Sequence, residues 1–189
     1  MSADTNINKR KVIAIVGMAG SGKSEVARFL ESNGYHKVRF GNITDEEVKK
    51  RGLPLNEENE RLVRQELRRE QGMAAYALLN IPKINKFLES SNMVVDGLYS
   101  WAEYQLMKQQ YGDKFVVLAV WSSPTTRYRR LTKRIIRPLK LEEATSRDKA
   151  EIENSAKGGP IAMADYTIIN ESSLEKLIQE TRRILTELK

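Results

Sequence analysis

The sequence contains no cysteine and a single histidine, His36. The first absence removes disulfides, thiol nucleophiles, iron–sulfur clusters and thiolate zinc sites together. His36 has no neighbouring ligand set, and its place at the start of an apolar run predicts a surface position at the head of a strand. Aromatic residues make up only 7% of the chain, which leaves few platforms on which nucleic-acid bases could stack. No apolar stretch approaches the roughly 20 residues that cross a bilayer. The start "KRKVIAIVGMAGSG" has a basic and an apolar part in the order of a signal peptide, but the apolar part runs directly into a glycine-rich turn and reads as a core strand. A cytoplasmic protein without membrane attachment is the expectation. The chemistry must then use Lys, Arg, Asp, Ser or backbone groups.

The chain has 189 residues, with 32 Lys and Arg against 25 Asp and Glu, a formal charge of +7. That length suits one domain with a real core and a small insertion. The positive balance fits a polyanionic ligand. Because the basic residues are interleaved with Glu, a small polyphosphate is the expected partner rather than nucleic acid. A monomer is expected.

Residues 1–10 are polar and unpatterned and read as a loose tail, leaving 11–189 as a single domain. "KVIAIVG" reads as a strand buried on both faces. "KSEVARFLESNG" sets Val26, Ala27, Phe29 and Leu30 on one helical stripe, closed by Gly34. "HKVRF" is a second strand. A charge-laced helix opens at Asn56 and breaks near Gly72, and Pro82 begins a further helical turn. "NMVVDG" and "KFVVLAVWSS" are strands flanking the helix "SWAEYQLMKQQYG", and "SPTTRYRRLTKR" starts another helix. The segment from about 134 to 164, with Pro138 and a "GGP" break, reads as a mobile helical lid, and about 42–90 as an acceptor-side helical segment. "DYTIIN" is a fifth strand. The last helix carries Leu174, Leu177, Ile178, Ile184, Leu185 and Leu188 at helical spacing. Five buried strands alternating with helices predict an α/β fold, a three-layer, doubly wound parallel five-stranded sheet.

"GMAGSGKS", residues 17–24, satisfies G-x-x-x-x-G-K-[ST] in the strand–turn–helix setting that a phosphate-binding loop requires. Gly17, Gly20 and Gly22 allow a tight turn whose N–H groups point inward, with Ala19 and Ser21 between them. Lys23 can reach the β and γ phosphates, and the Ser24 hydroxyl can hold Mg²⁺. A magnesium-bound triphosphate also calls for a carboxylate at the end of a neighbouring strand, and Asp96 stands there. Cations over the transferring phosphoryl group could come from Arg130, Arg134, Arg137 and Arg147. Arg61, Arg64 and Arg68 form a stripe that either grips an acceptor phosphate or belongs to a salt-bridged solvent face with Glu57, Glu60 and Glu66. Tyr99 and Trp101 either line an acceptor pocket or pack the core.

Taken together these motifs resemble small P-loop kinases of the nucleoside-monophosphate kinase and dephospho-CoA kinase group, over nearly all the chain after Lys11. "DGLYS" resembles the D-G-F-P-R stretch of the former without its arginine. "RLTKR" resembles the lid-opening R-L-x-x-R of the latter, and "ADYTIINESSLEKL" is similar to their ending, whose asparagine region near the adenine carries over to Asn170. "KKRGLPLNEENERLVRQELRREQGMAAYA" and "SRDKAEI" are closer still to archaeal dephospho-CoA-kinase-like, adenylate-kinase-related proteins. The residues and these likenesses together imply an ATP-binding set of Gly17, Ala19, Gly20, Ser21, Gly22, Lys23, Ser24, Arg130 and Asn170, and catalytic roles for Lys23, Arg134 and Arg147, the archaeal likeness adding Arg64, Arg68 and Arg147 as ligand-binding candidates. Acceptor contacts fall to Asp45, Arg64 and Arg68, and Mg²⁺ to Ser24 and Asp96. Where dephospho-CoA kinases carry D-A-D-x-I, this chain reads "FGNITDEE": Asn42 cannot act as a base and Asp45 is offset. A monophosphate acceptor attacks through a phosphate oxygen and needs no strong base. The expected activity is ATP- and Mg²⁺-dependent phosphoryl transfer to a nucleoside monophosphate or dephospho-CoA. The alternative is a nucleotide-dependent ATPase switch acting through a protein or RNA partner.

Overall fold

Val12–Val16 (β1) has no polar side chain, and all five of its residues are buried. Such a run is stable only in the middle of a sheet covered on both faces. The computed structural model, which describes residues 10–135 and 138–188, places it there. β1 lies between Met93–Asp96 (β3) and Phe115–Trp121 (β4), with His36–Arg39 (β2) and Tyr166–Ile169 (β5) at the edges, in the order β2-β3-β1-β4-β5. Every pairing is parallel. The expected tail falls outside the described residues except for Arg10, whose Nη1 donates to the Leu88 carbonyl at 3.2 Å. Arg137 also lies outside them.

The helices are Lys23–Ser32 (α1), Asn42–Lys50 (α2), Glu57–Gln71 (α3), Ala75–Leu88 (α4), Trp101–Tyr111 (α5), Pro124–Lys133 (α6), Leu141–Glu153 (α7), Gly158–Ala162 (α8) and Leu174–Glu187 (α9). Alternate β1 residues feed two cores. Ile13 and Ile15 pack with Val26 and Leu30 of α1 and Leu177 and Ile184 of α9. Val12, Ala14 and Val16 pack with Val48, Val63, Ala77, Ile84 and Met107 of α2 to α5. Each fully buried Val, Leu or Ile contributes about 1.5–3 kcal/mol over leaving it in water, so the two cores define the three layers.

Several local expectations change. Helix α4 runs through Pro82 without restarting. Proline removes one helical hydrogen bond, but Tyr76, Ala77, Asn80 and Ile84 are buried from this helix, and that burial holds it together. Leu174 is 55% exposed at the first turn of α9, outside the apolar stripe expected to include it. Phe29 is only half-buried, with the Arg182 guanidinium 5.7 Å from its ring centre. His36 heads β2 as expected but is half-buried, its ring stacked 3.5 Å from that of Phe87.

This topology ends β1, β3 and β4 side by side at their carboxyl edge. Ile15 of β1 aligns with Asp96 of β3, and Arg39 of β2 aligns with the same aspartate. Ligands of open parallel sheets bind in the crevice outside that edge.

Candidate active site

The loop from 17 to 24 joins β1 to α1, and two of its glycines show why no other residue fits. Gly17 has φ +143, and a Cβ there would lie 2.3 Å from the Val120 carbonyl oxygen. Gly22, at φ +107, would put a Cβ 2.3 Å from Nδ2 of Asn170. Gly22 is also the N-cap of α1 and supplies no side-chain cap, so the first N–H groups of the helix remain available to an anion.

Around this loop the chain builds a supporting frame. Asn170 Nδ2 donates to the Ser21 carbonyl at 2.8 Å, and Ser122 Oγ reaches the same carbonyl at 3.3 Å. Arg130 joins them, with Nη1 on Ser122 Oγ at 3.0 Å and Nη2 on Asn170 Oδ1 at 3.4 Å. Asn170 is thus brought to the loop and holds its backbone directly, while Arg130 braces Asn170 and Ser122 behind it. Ser21 itself is fully buried, and its Oγ has no partner among the described residues.

Lys23 Nζ donates to the Met18 carbonyl at 3.0 Å, folded back on its own loop. Burial pushes its ammonium down to about 7; Lys157 pushes the same way, while Glu151 and Asp96 oppose it. Lys23 therefore lies in the field of Asp96 at the end of β3 and of Arg147 on α7. Among the described residues no cluster of three or more His, Cys, Asp or Glu could hold a metal by itself. The Ser24 hydroxyl and the Asp96 carboxylate are hard oxygen donors of the kind Mg²⁺ takes when nucleotide phosphates complete its shell.

The helical insertion is tied down over the loop by Arg127, which sequence reasoning overlooked. This arginine is 4% exposed. Its two terminal nitrogens hold Asp148 of α7 at 2.9 and 2.6 Å, Nη1 also donates to the Ala19 carbonyl at 3.2 Å, and Nε donates to the Ser122 carbonyl at 3.2 Å. Tyr128 adds a hydrogen bond to Asp148 at 3.0 Å. A clue was present: Arg127 stands four residues before the buried Leu131, on the inward face of α6. Its partner lies 21 residues away, a separation no local pattern marks.

Two further buried charges were also overlooked. Lys157, 1% exposed, pairs with Glu151 Oε2 at 2.5 Å and sits 4.8 Å from the centre of the Tyr99 ring. Glu103, fully buried, accepts from the Tyr99 and Ser100 amides at 2.7 and 3.1 Å, and burial raises its carboxyl to about 7. "SWAE" carried its signal, a capping box opening α5. Trp101 stacks on Tyr104 with ring centres 4.9 Å apart and meets Gly159 of α8.

On the acceptor side, Asp45 pairs with Arg39 at 2.9 Å, and Arg39 Nη1 also reaches Asn42 Oδ1 at 3.3 Å. Arg64 lies 3.5 Å from Glu60 on its own helix. The Arg68 guanidinium is 5.7 Å from the Tyr76 ring centre, and its buried Nε has no partner among the described residues. Arg147 Nε donates to Glu151 Oε1 at 3.0 Å, and Arg134 is the half-buried C-cap residue of α6. Lys23, Asp96 and Arg147 are brought into one neighbourhood; Asp45, Arg64 and Arg68 stand on the α2–α3 side of the crevice.

Comparison with known proteins agrees with this architecture. Residues 13–154 match the AAA domain family. A UPF0200 protein of Thermococcus sibiricus is 36% identical over 181 residues, covering 94% of this chain and 95% of the relative. A UPF0200/UPF0201 protein of Archaeoglobus fulgidus is 38% identical over 181 residues, 94% of this chain, which spans only 56% of that relative's length. Among solved structures, the gluconokinase of Sinorhizobium meliloti superposes with a TM-score of 0.60 at 16% identity, covering 94% of this chain and 93% of that one. The shikimate kinase of Bacteroides thetaiotaomicron gives 0.58 at 15%, covering 93% and 98%. A dephospho-CoA kinase from Campylobacter jejuni gives 0.55 at 14%, covering 96% and 98%. These likenesses establish the P-loop kinase fold.

Proposed function

Because the chain belongs to the UPF0200 family and carries its AAA domain in a P-loop kinase fold, we propose that it is an ATP- and Mg²⁺-dependent kinase acting on a small nucleotide-like acceptor. The observation that carries this reading is the insertion helix α7, bound through Arg127 and Asp148 to the backbone of the phosphate loop itself. Cations held over a phosphate loop under a cover that excludes water favour transfer over hydrolysis.

In this reading the N–H groups at the start of α1 receive the β and γ phosphates, and Lys23 leaves the Met18 carbonyl for their oxygens. Ser24 and Asp96 would hold Mg²⁺, which would supply charge neutralisation to the phosphate oxygens. An acceptor oxygen attacks the γ phosphorus in line; the new O–P bond forms as the bond to the bridging β–γ oxygen breaks, and ADP departs with that electron pair. Arg147 and Arg134 offset the charge developing on the equatorial oxygens. Arg64 and Arg68 offer cations to the acceptor.

A nucleoside monophosphate fits the acceptor side better than dephospho-CoA. Asn42 is not a base, and Asp45 is engaged by Arg39, so a phosphate oxygen that is already ionised is the nucleophile these residues suit.

The test is an acceptor panel with Mg·ATP: AMP, CMP, UMP, dTMP, dephospho-CoA and none, read as ADP formation. Stimulation by a monophosphate is expected, and Lys23→Ala should reduce it on the order of 100-fold or more with the fold intact. Equal ADP release without any acceptor would overturn the kinase reading in favour of an ATPase switch.

A further inference from the structure

Glu151 of α7 is a single carboxylate shared by two cations. Its Oε1 accepts from Arg147 Nε at 3.0 Å, and its Oε2 holds Lys157 Nζ at 2.5 Å. Both Lys157 and Glu151 are largely withdrawn from water, their side chains 2% and 16% exposed. The arrangement is fastened in place. One turn earlier, Asp148 is locked to Arg127, which in turn holds the Ala19 carbonyl of the phosphate loop. From the other side, the Tyr99 ring lies under Lys157, three residues beyond Asp96.

Burying a cation is costly unless an anion lies beside it; Lys157 is the buried one, and Arg147, its side chain 48% exposed, shares the same carboxylate. Lys23 lies in the field of all three groups: Lys157 and Arg147 depress its proton affinity, and Glu151 supports it. Glu151 thus supplies negative charge within a group of cations beside a loop shaped for phosphate. A carboxylate can occupy such a position because it offers the same charge-assisted acceptor oxygens as a phosphoryl group.

We infer that Glu151 is the protein's own stand-in for the transferred phosphoryl group, and that Lys157 together with Arg147 is a phosphate ligand released to the nucleotide when Glu151 is displaced. This rests on reading the loop as a triphosphate site, and it adds a residue and a switch to it. Before nucleotide binds, Glu151 satisfies the lid cations and keeps the insertion packed. A γ phosphate competes for those cations, so the insertion rearranges only for a ligand with enough charge to win the exchange. A diphosphate, lacking the terminal group, leaves Glu151 in place.

The decisive measurement is the affinity of inorganic tripolyphosphate and of ATP for Glu151→Gln by calorimetry at fixed salt. Removing the competing charge should tighten tripolyphosphate binding by at least about fivefold, the lower end of ordinary coupling between competing ligands. Its melting temperature without ligand should fall, since Lys157 loses its carboxylate, and tripolyphosphate should restore it more than in the unmodified protein. Glu153→Gln serves as the control for net charge: Glu153 is exposed on the same helix, 3.9 Å from Lys149, and its loss should change affinity far less.

Unchanged or weaker binding in Glu151→Gln, or equal tightening in Glu153→Gln, overturns the inference. If Glu151→Gln does not fold, the double variant Glu151→Gln with Lys157→Met removes the unpaired buried cation, and Arg147, relieved of the Glu151 charge, should still tighten binding. These outcomes are independent of the acceptor. Failure of the unmodified protein to bind ATP would instead defeat the proposed function.

Discussion

Lys23 shows how one half-buried amine ties stability to ligand binding. Its proton affinity is lowered from 10.5 to about 7, so between those values the unfolded chain binds more protons than the native one. Stability contributed by this group therefore rises with pH from about 7 and is lost as pH falls through it. Glu103 acts with the opposite sign: raised from 4.5 to about 7, it holds extra protons in the native state, and stability falls as pH climbs through that window. Urea unfolding across pH should show Glu103→Gln lacking the fall on the acid side and Lys23→Met lacking the rise on the alkaline side. Arriving phosphates also favour the ammonium form of Lys23. ATP binding at pH 8 should accordingly take up protons, approaching one per site, while binding at pH 5.5 takes up few. Calorimetry in buffers of different ionisation enthalpy reads this directly, and proton uptake that persists in Lys23→Met would assign it elsewhere. The glycines and Lys23 of the loop were legible because their spacing is itself the chemistry. Arg127, Lys157 and Glu103 were harder to see, because a charged residue in a sequence is first read as solvated, and only its partner shows it to be buried.

At the scale of elements, α6 and α7 are joined by a charge pair whose side chains are 5% and 10% exposed. Removing one partner of such a pair strands the other, so Arg127→Ala should cost about 3–5 kcal/mol of unfolding free energy. Arg127→Lys should restore only part of this, because a single ammonium cannot reproduce the forked contact with Asp148 or the reach to Ala19. A variant with unchanged urea midpoint and unchanged ATP affinity would remove Arg127 from the frame. Gly22→Ala should also weaken ATP binding, since its Cβ collides with Asn170 in a backbone conformation alanine avoids. Helix α3 was readable from its Asn56 cap, which accepts from the Asn59 amide at 2.9 Å. The passage of α4 through Pro82 was not, because burial on the far side of that helix outweighs a local breaker. The insertion was legible as helical and interrupted, but its attachment to the phosphate loop depends on a contact spanning 21 residues.

For the molecule as a whole, a charge of +7 invites the idea of a nucleic-acid partner, and ionic strength separates the two cases. Many of the cations are engaged in local pairs, such as Arg183 with Glu180 within α9 and Arg51, just past the end of α2, with Glu47. A mononucleotide held by Lys23 and the loop should lose affinity only mildly between 50 and 200 mM salt, whereas RNA bound through six or more phosphates loses about 10³-fold or more. Filter binding of RNA beside calorimetry of ATP over that range checks it, and a steep slope for a tight RNA complex would favour the switch reading.

The sequence by itself determined the five strands, their alternation with helices and the phosphate loop, because each rests on neighbours within one turn or one strand: continuous apolar runs, glycine spacing, a lysine at the head of a helix. Tertiary structure alone decided which charges face one another. Asp148 meets Arg127, Asn170 meets Ser21 and Glu151 gathers Arg147 and Lys157 because β4, β5 and the insertion converge on the carboxyl edge of β1. Contacts set by that convergence depend on the path of the chain in space, for which a linear spacing carries no signal.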